Sequence, residues 1–255
     1  MIKCTHKTTK GNKIMFSLGH FIWLGALAAA IVTAFIISKH FKPSHKRVHI
    51  IMTAVLIVLK LLHLSLSMKE AEGGGFVLNQ TQLSFHLCSI QIYLVIFLNF
   101  IKNEKWIAKL KSFMVPCMLI GAAMALLIPT EGVDPSVPRV WQYMLIHGAL
   151  VFYGLYLMLI EKADLSLKAY FGNLQLLLVV TAAAFVMNSV LEQYNTNFLF
   201  LRKPPMENLP VLNLDNGWYA YFLILTLIAC TLVLLVQLPF IIKGLRSGRH
   251  TEDKN

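Results

Sequence analysis

Along most of this chain apolar residues follow one another without a break. They do not alternate at the period of a half-buried strand or a surface helix. Seven uncharged or nearly uncharged stretches run over roughly 14–38, 48–68, 84–101, 112–129, 140–160, 170–190 and 217–242. Each supplies about 18 residues or more, enough for a helix to cross a ~30 Å hydrocarbon core. The pattern predicts an all-α polytopic membrane protein, a single bundle of seven transmembrane helices over 14–242. A basic tail (1–13) precedes it and a polar tail (243–255) follows. The first apolar run is far longer than the 7–15 residues of a cleavable signal, so it reads as a retained helix. The longest loop, 191–216, holds Pro204, Pro205 and Pro210 and is expected to be extended.

Composition agrees. Hydrophobic residues make up 57% of the 255, charged residues 14%, and the mean hydropathy is +0.65; a soluble domain carries about 25% charged residues. A net charge of +11 could serve nucleic acid, but the basic residues lie in short loops and tails, the positive-inside pattern. Nucleic-acid binding is therefore set aside. Lys39, Lys42, Lys46 and Arg47 in one loop, Lys102, Lys105, Lys109 and Lys111 in another, and the basic C-terminal tail favour a cell-membrane protein with its N-terminus outside and C-terminus cytoplasmic. The basic N-terminal tail opposes that orientation.

With that topology the polar residues inside the spans share one side of the membrane. They are His20, Lys60 and His63, His86 with Cys88 and Gln91, Gln142 and His147, and Asn188 with Glu192. Polar groups at such depth are costly unless paired or hydrated, and their shared level suggests a common polar cavity. His20, Gln142 and Glu192 are read as interfacial residues wet by headgroups, and Lys60 can snorkel outward.

Cys88 and His147 lie deeper and carry the sharper chemistry. An apolar setting leaves a thiol inert, whereas a neighbouring imidazole can make it a thiolate nucleophile. His86, two residues from Cys88, faces away from it on a regular helix. His147 is therefore the natural base, with His63 next; Gln91 shares the face of Cys88. Cys117 and Cys230 read as packing residues, and Cys4 has no assignment. No CxxC spacing indicates a zinc ribbon or disulfide framework.

Four segments in order, "LSFHLCSIQ", "WQYMLIHGAL", "NTNFLFLRKPP" and "NGWYAYFLILTLIACTLVLLVQLPF", resemble the YwaF-like integral membrane proteins. These are bacterial relatives of the transmembrane-protein-164 acyltransferases. The likeness spans roughly 15–242. It implies a phospholipid acyltransferase or transacylase, or a lipid acyl hydrolase, working through a Cys-His dyad and a thioester. On this resemblance Cys88 is the nucleophile and His147 its base. Asn197, Asn188, Gln91, His86 and His63 are supporting or oxyanion candidates. Membrane phospholipids are the substrate, with no metal and no other cofactor. The family usually has Pro where this chain has Ser84, and commonly Tyr where it has Phe198.

Two rivals remain at this stage. His63, His86, His147 and Cys88 could bind zinc in a membrane hydrolase, although no buried carboxylate is at hand as a base. The cavity could also serve transport or sensing of a small solute, with Lys60 and the histidines as ligands. Against that, Pro116 interrupts its helix without a matched partner elsewhere.

Overall fold

The computed structural model describes residues 17–70, 76–78, 83, 85–205, 209 and 211–252. The expected basic tail 1–13, Cys4, Ser84 and Pro210 lie outside them. Seven α-helices follow in order: α1 (Leu18–Phe41), α2 (His45–Leu66), α3 (Leu87–Leu98), α4 (Glu104–Leu127), α5 (Pro138–Leu159), α6 (Leu167–Val190) and α7 (Gly217–Glu252). Between α2 and α3 lies a small antiparallel pair, β1 (Met68–Glu70) with β2 (Phe76–Leu78). The protein is an all-α polytopic membrane protein, as its hydropathy requires.

Local sequence sets most helix starts. Ser17, Ser44, Asn103 and Ser166 each turn a side-chain oxygen onto a backbone N–H of the helix that follows, satisfying donors that have no partner within the helix. Pro138 opens α5, where its missing N–H is harmless. α7 runs ten residues past the expected end at 242, continuing through the polar residues to Glu252. The loop after α6 is not simply extended: it makes two 3-10 turns, Glu192–Tyr194 and Phe198–Phe200.

Among the described residues six helices are long and apolar enough to cross a membrane; α3 is not. Its 12 residues cover only about 18 Å. The apolar run 84–101 overstated it because His86 is still extended (φ −77°, ψ 150°) and the helix closes at Asn99. Asn99 folds its side-chain amide onto the carbonyls of Val95 and Ile96 and onto the Thr53 hydroxyl. Thr53 lies two turns inside α2. At this end α3 therefore stops two turns short of the start of α2.

α4 and α5 form the centre and bury more of their lengths than any other span. From Ser112 to Met118 every α4 residue is buried. α2 packs on α5, α3 fits between α2 and α4, α1 leans on α5, and α6 and α7 close the far side of α4. Small residues let backbones approach where lipid offers no hydrophobic driving force. A Cβ on Gly154 would sit 3.1 Å from the Met118 Cβ and 3.2 Å from a Leu119 methyl, and one on Gly148 would sit 2.8 Å from a Leu27 methyl.

Polar bonds tie both ends of this centre. At one end His49 and His45 meet the hydroxyls of Tyr153 and Tyr156 (Nδ1 to oxygen 2.6 and 2.9 Å). There Lys111 pairs with the buried Glu161 at 2.5 Å. At the other end Arg139 pairs with Glu131 at 2.7 Å and donates to the Leu66 carbonyl and the Ser67 hydroxyl. Trp23 donates to the Val133 carbonyl. In the same loop Asp134 accepts from the Ser136 N–H and hydroxyl, which hold its carboxyl below the usual carboxylate range.

Gly154→Val pushes a branched side chain into α4. The overpacking costs about 1–3 kcal/mol, so the detergent-solubilised protein should melt several degrees lower. Gly25→Val, where nothing lies within 4 Å, should leave the transition in place.

Candidate functional site

The site begins with the way α3 starts. Its N-cap residue, His86, makes no side-chain cap hydrogen bond. The first intrahelical bond runs from Ile90 N–H to the His86 carbonyl at 3.0 Å. The amides of Leu87, Cys88 and Ser89 precede it, and the His86 side chain caps none of them. Cys88 is the second residue of the helix. Its sulfur therefore lies at the positive end of the helix dipole, among donors without helical partners.

α4 makes room for that sulfur. A Cβ on Gly121 would sit 3.1 Å from Cys88 Sγ, tighter than an ordinary contact, and 3.6 Å from a Leu87 methyl. Gly121 is thus the surface against which the thiol rests. One turn along α3, Gln91 is fully buried, and neither its carbonyl oxygen nor its amide nitrogen has a hydrogen-bond partner. A buried amide left unpaired is costly, and this one shares the face of Cys88.

His147 projects from α5. Its Nδ1–H donates to the Tyr143 carbonyl one turn earlier at 2.7 Å, and the two rings pack with centroids 4.3 Å apart. That bond fixes the tautomer: Nε2 carries the lone pair. The orienting group is a backbone carbonyl of the same helix, not an asparagine. The level follows from the antiparallel register of α4 and α5. The Tyr143 hydroxyl donates to the Ala125 carbonyl and Gly154 touches Met118, so His147 falls between those marks, beside the α4 segment that includes Gly121. Cys88 and Tyr143 lie within electrostatic reach of each other.

The other expected residues separate into two groups. His63 meets Gln142 Oε1 through Nδ1 at 3.4 Å, and Gln142 donates to the Leu59 carbonyl. His63 also lies within electrostatic reach of His147, and Lys60 within reach of both His63 and His86. Gln142 and His20 were read as interfacial but are buried; His20 Nε2 meets the Leu126 carbonyl at 2.8 Å. Glu192 is exposed as expected and pairs with Arg202. Cys117 is buried as packing.

The second group builds a loop. Asn188 donates to the Phe198 carbonyl and accepts from the Phe198 N–H at 2.8 Å. Asn197 accepts from the N–H groups of Arg202 and Lys203 and donates to the Lys203 carbonyl. Both amides therefore hold loop backbone. Tyr221 donates to the Phe200 carbonyl and Trp218 to that of Leu201. These bonds hold Leu199 and Phe200 at positive φ (54° and 57°), which side chains adopt only when the surroundings enforce it. The product is an aromatic wall for His86, whose ring lies 5.6 and 5.7 Å from those of Phe198 and Phe200.

The zinc reading needs His63, His86, His147 and Cys88 gathered around one point. Among the described residues no three His, Cys, Asp or Glu side chains are grouped so as to hold a metal. The sequence did not point to the first-turn amides of α3, to Gly121 or to the Tyr143 carbonyl. The only signal for the first was polar His86 at the threshold of an apolar run.

The His147 tautomer is open to direct measurement. In protein labelled with 15N-histidine and held in nanodiscs, the neutral His147 ring should show Nδ1 protonated and Nε2 bare. The reverse assignment would remove the lone pair from the position a base requires.

The sequence pattern of the TMEM164 family matches residues 15–237, nearly the whole bundle. The chain belongs to that family. No curated protein and no solved structure matches it.

Proposed function

We propose that this TMEM164-family protein is a membrane-embedded phospholipid acyltransferase or transacylase using Cys88 as nucleophile and His147 as base. We place it in the YwaF-like bacterial branch, in the plasma membrane, N-terminus outside and C-terminus cytoplasmic. The observation that carries the reading is the position of Cys88 in the first turn of a helix too short to span the membrane. Helix N-termini favour thiolates, and unpaired backbone N–H groups suit the oxyanion of acyl transfer.

The reaction balances with this chain's own groups. His147 Nε2 takes the Cys88 proton as the thiolate attacks the ester carbonyl of a phospholipid. The amides of α3's first turn, with Gln91, receive the oxyanion. On collapse the C–S bond is kept, the C–O bond breaks, and the leaving alkoxide takes the proton from His147. The hydroxyl of a lyso-lipid, or water, then gives its proton to Nε2 and attacks the thioester. The new C–O bond forms, the C–S bond breaks, and the thiolate recovers its proton. Asn188 and Asn197 act through the loop that walls His86; His63 supports the site next to His147.

The test is lipid mass spectrometry on purified protein in liposomes holding an acyl-labelled phospholipid and a lyso-acceptor. Wild type should transfer the label and carry a transient acyl group on the Cys88 peptide. Cys88→Ala should abolish turnover, and His147→Ala should lower it about 10²–10⁴-fold, the usual share of a general base. Activity indifferent to Cys88, or none with several donors, would shift the reading to solute transport or sensing.

A further inference from the structure

Lys60 has no role in the acyl-transfer steps, yet it stands out in the bundle. It lies in α2 with 6% of its surface exposed, on the same buried face as Leu56 and Leu59. Among the described residues it makes no ion pair and no hydrogen bond. Among the described side chains, Glu131 pairs with Arg139 and Glu192 with Arg202. No Asp or Glu precedes Glu70 in the chain, so neither α1 nor α2 offers a counter-charge. His63 and His86 lie within its electrostatic reach, and neither can neutralise it.

A charged side chain at this depth is costly, and an intramembrane ionisable residue marks a ligand site by default. The position says which ligand. His86 is the N-cap of α3, two residues before Cys88, and His63 is coupled to His147. Lys60 lies one turn before His63, which meets Gln142 on α5 beside Tyr143, and within electrostatic reach of the residue that opens the thiol's helix. A glycerophospholipid carries a phosphate a few bonds from its ester carbonyls, so a molecule with its ester at Cys88 brings its phosphate into this region. Taking the acyl-transfer reading as premise, we infer that Lys60 is the anion-anchoring residue of the site. Its ammonium holds the phosphate group of the bound lipid, which selects phosphate-bearing lipids over neutral glycerides and sets the ester against Cys88.

Binding can be measured without turnover, on the Cys88→Ala protein in detergent. The probes are a fluorescent lysophosphatidylglycerol and a monoacylglycerol of the same chain. The phosphate-bearing probe should bind more tightly. Adding Lys60→Gln should weaken it at least about tenfold, the loss of one charge-assisted hydrogen bond, and leave the monoacylglycerol unchanged. Lys60→Arg should restore most of the preference. Lys60→Met removes the charge while keeping a long apolar stem, and should match Lys60→Gln. Displacement of the probe by millimolar inorganic phosphate would show that the site holds the phosphate group by itself. A Lys60-dependent preference without displacement would assign it to the lipid headgroup. Equal binding of the two probes to the Lys60 protein, or an equal loss of both in Lys60→Gln, overturns the inference. A Lys60-dependent preference in a protein that shows no acyl transfer sinks the acyl-transfer reading instead.

Discussion

The contact on which the rest depends is the close approach of α4 to α5. A glycine at 154 lets the two backbones draw together over Met118 and Leu119, and the Tyr143 hydroxyl fixes their register at Ala125. That register carries His147 to the level of Gly121. Gly121 in turn is what Cys88 rests against. Three helices thus meet at one depth because two of them pack through small residues, in a solvent where apolar burial alone drives little association.

Hydrocarbon also explains why the Cys88 helix is unusual. A backbone N–H left unpaired in lipid costs several kcal/mol, so a helix begins away from the interface only where protein or a polar cavity surrounds its first turn. Here Gly121 of α4 packs against Cys88, and His86 packs against the rings of Phe198 and Phe200. The asparagines of the loop after α6 serve this arrangement indirectly. They force Leu199 and Phe200 into a strained conformation, and the strain sets the rings that face His86.

The sequence disclosed the bundle well, because uninterrupted apolar runs have few other solutions. It placed four spans within a few residues, opened α4 eight residues late, closed α7 ten residues early, and gave α3 more length than its 12 residues. Hydropathy counts residues but does not register that His86 is extended or that Asn99 turns back on its own helix. Cys88 and His147 were legible as polar residues at one depth. Their supports were not. Gly121 acts by lacking atoms, the Tyr143 carbonyl belongs to the backbone, and the free amides follow from where a helix starts. Asn188 and Asn197 looked like chemistry and are engaged in loop geometry, a distinction that only their hydrogen bonds make. His20 and Gln142 looked wet and are buried, because carbonyls of neighbouring helices take their donors.

α2 is fastened at both extremities. His45 and His49 hold one end to the hydroxyls of α5, and Arg139 of α5 grips the Leu66 carbonyl and the Ser67 hydroxyl at the other. A helix pinned twice to the same neighbour cannot slide along its own axis, so Lys60 stays at a constant height relative to His147. The bundle is then a ruler set into the bilayer. Membranes differ in thickness by a few Å, and the ester plane of a leaflet moves with that thickness while the ruler does not. The lipid environment that brings headgroups and esters to the ruler's marks is the one in which this site is best filled.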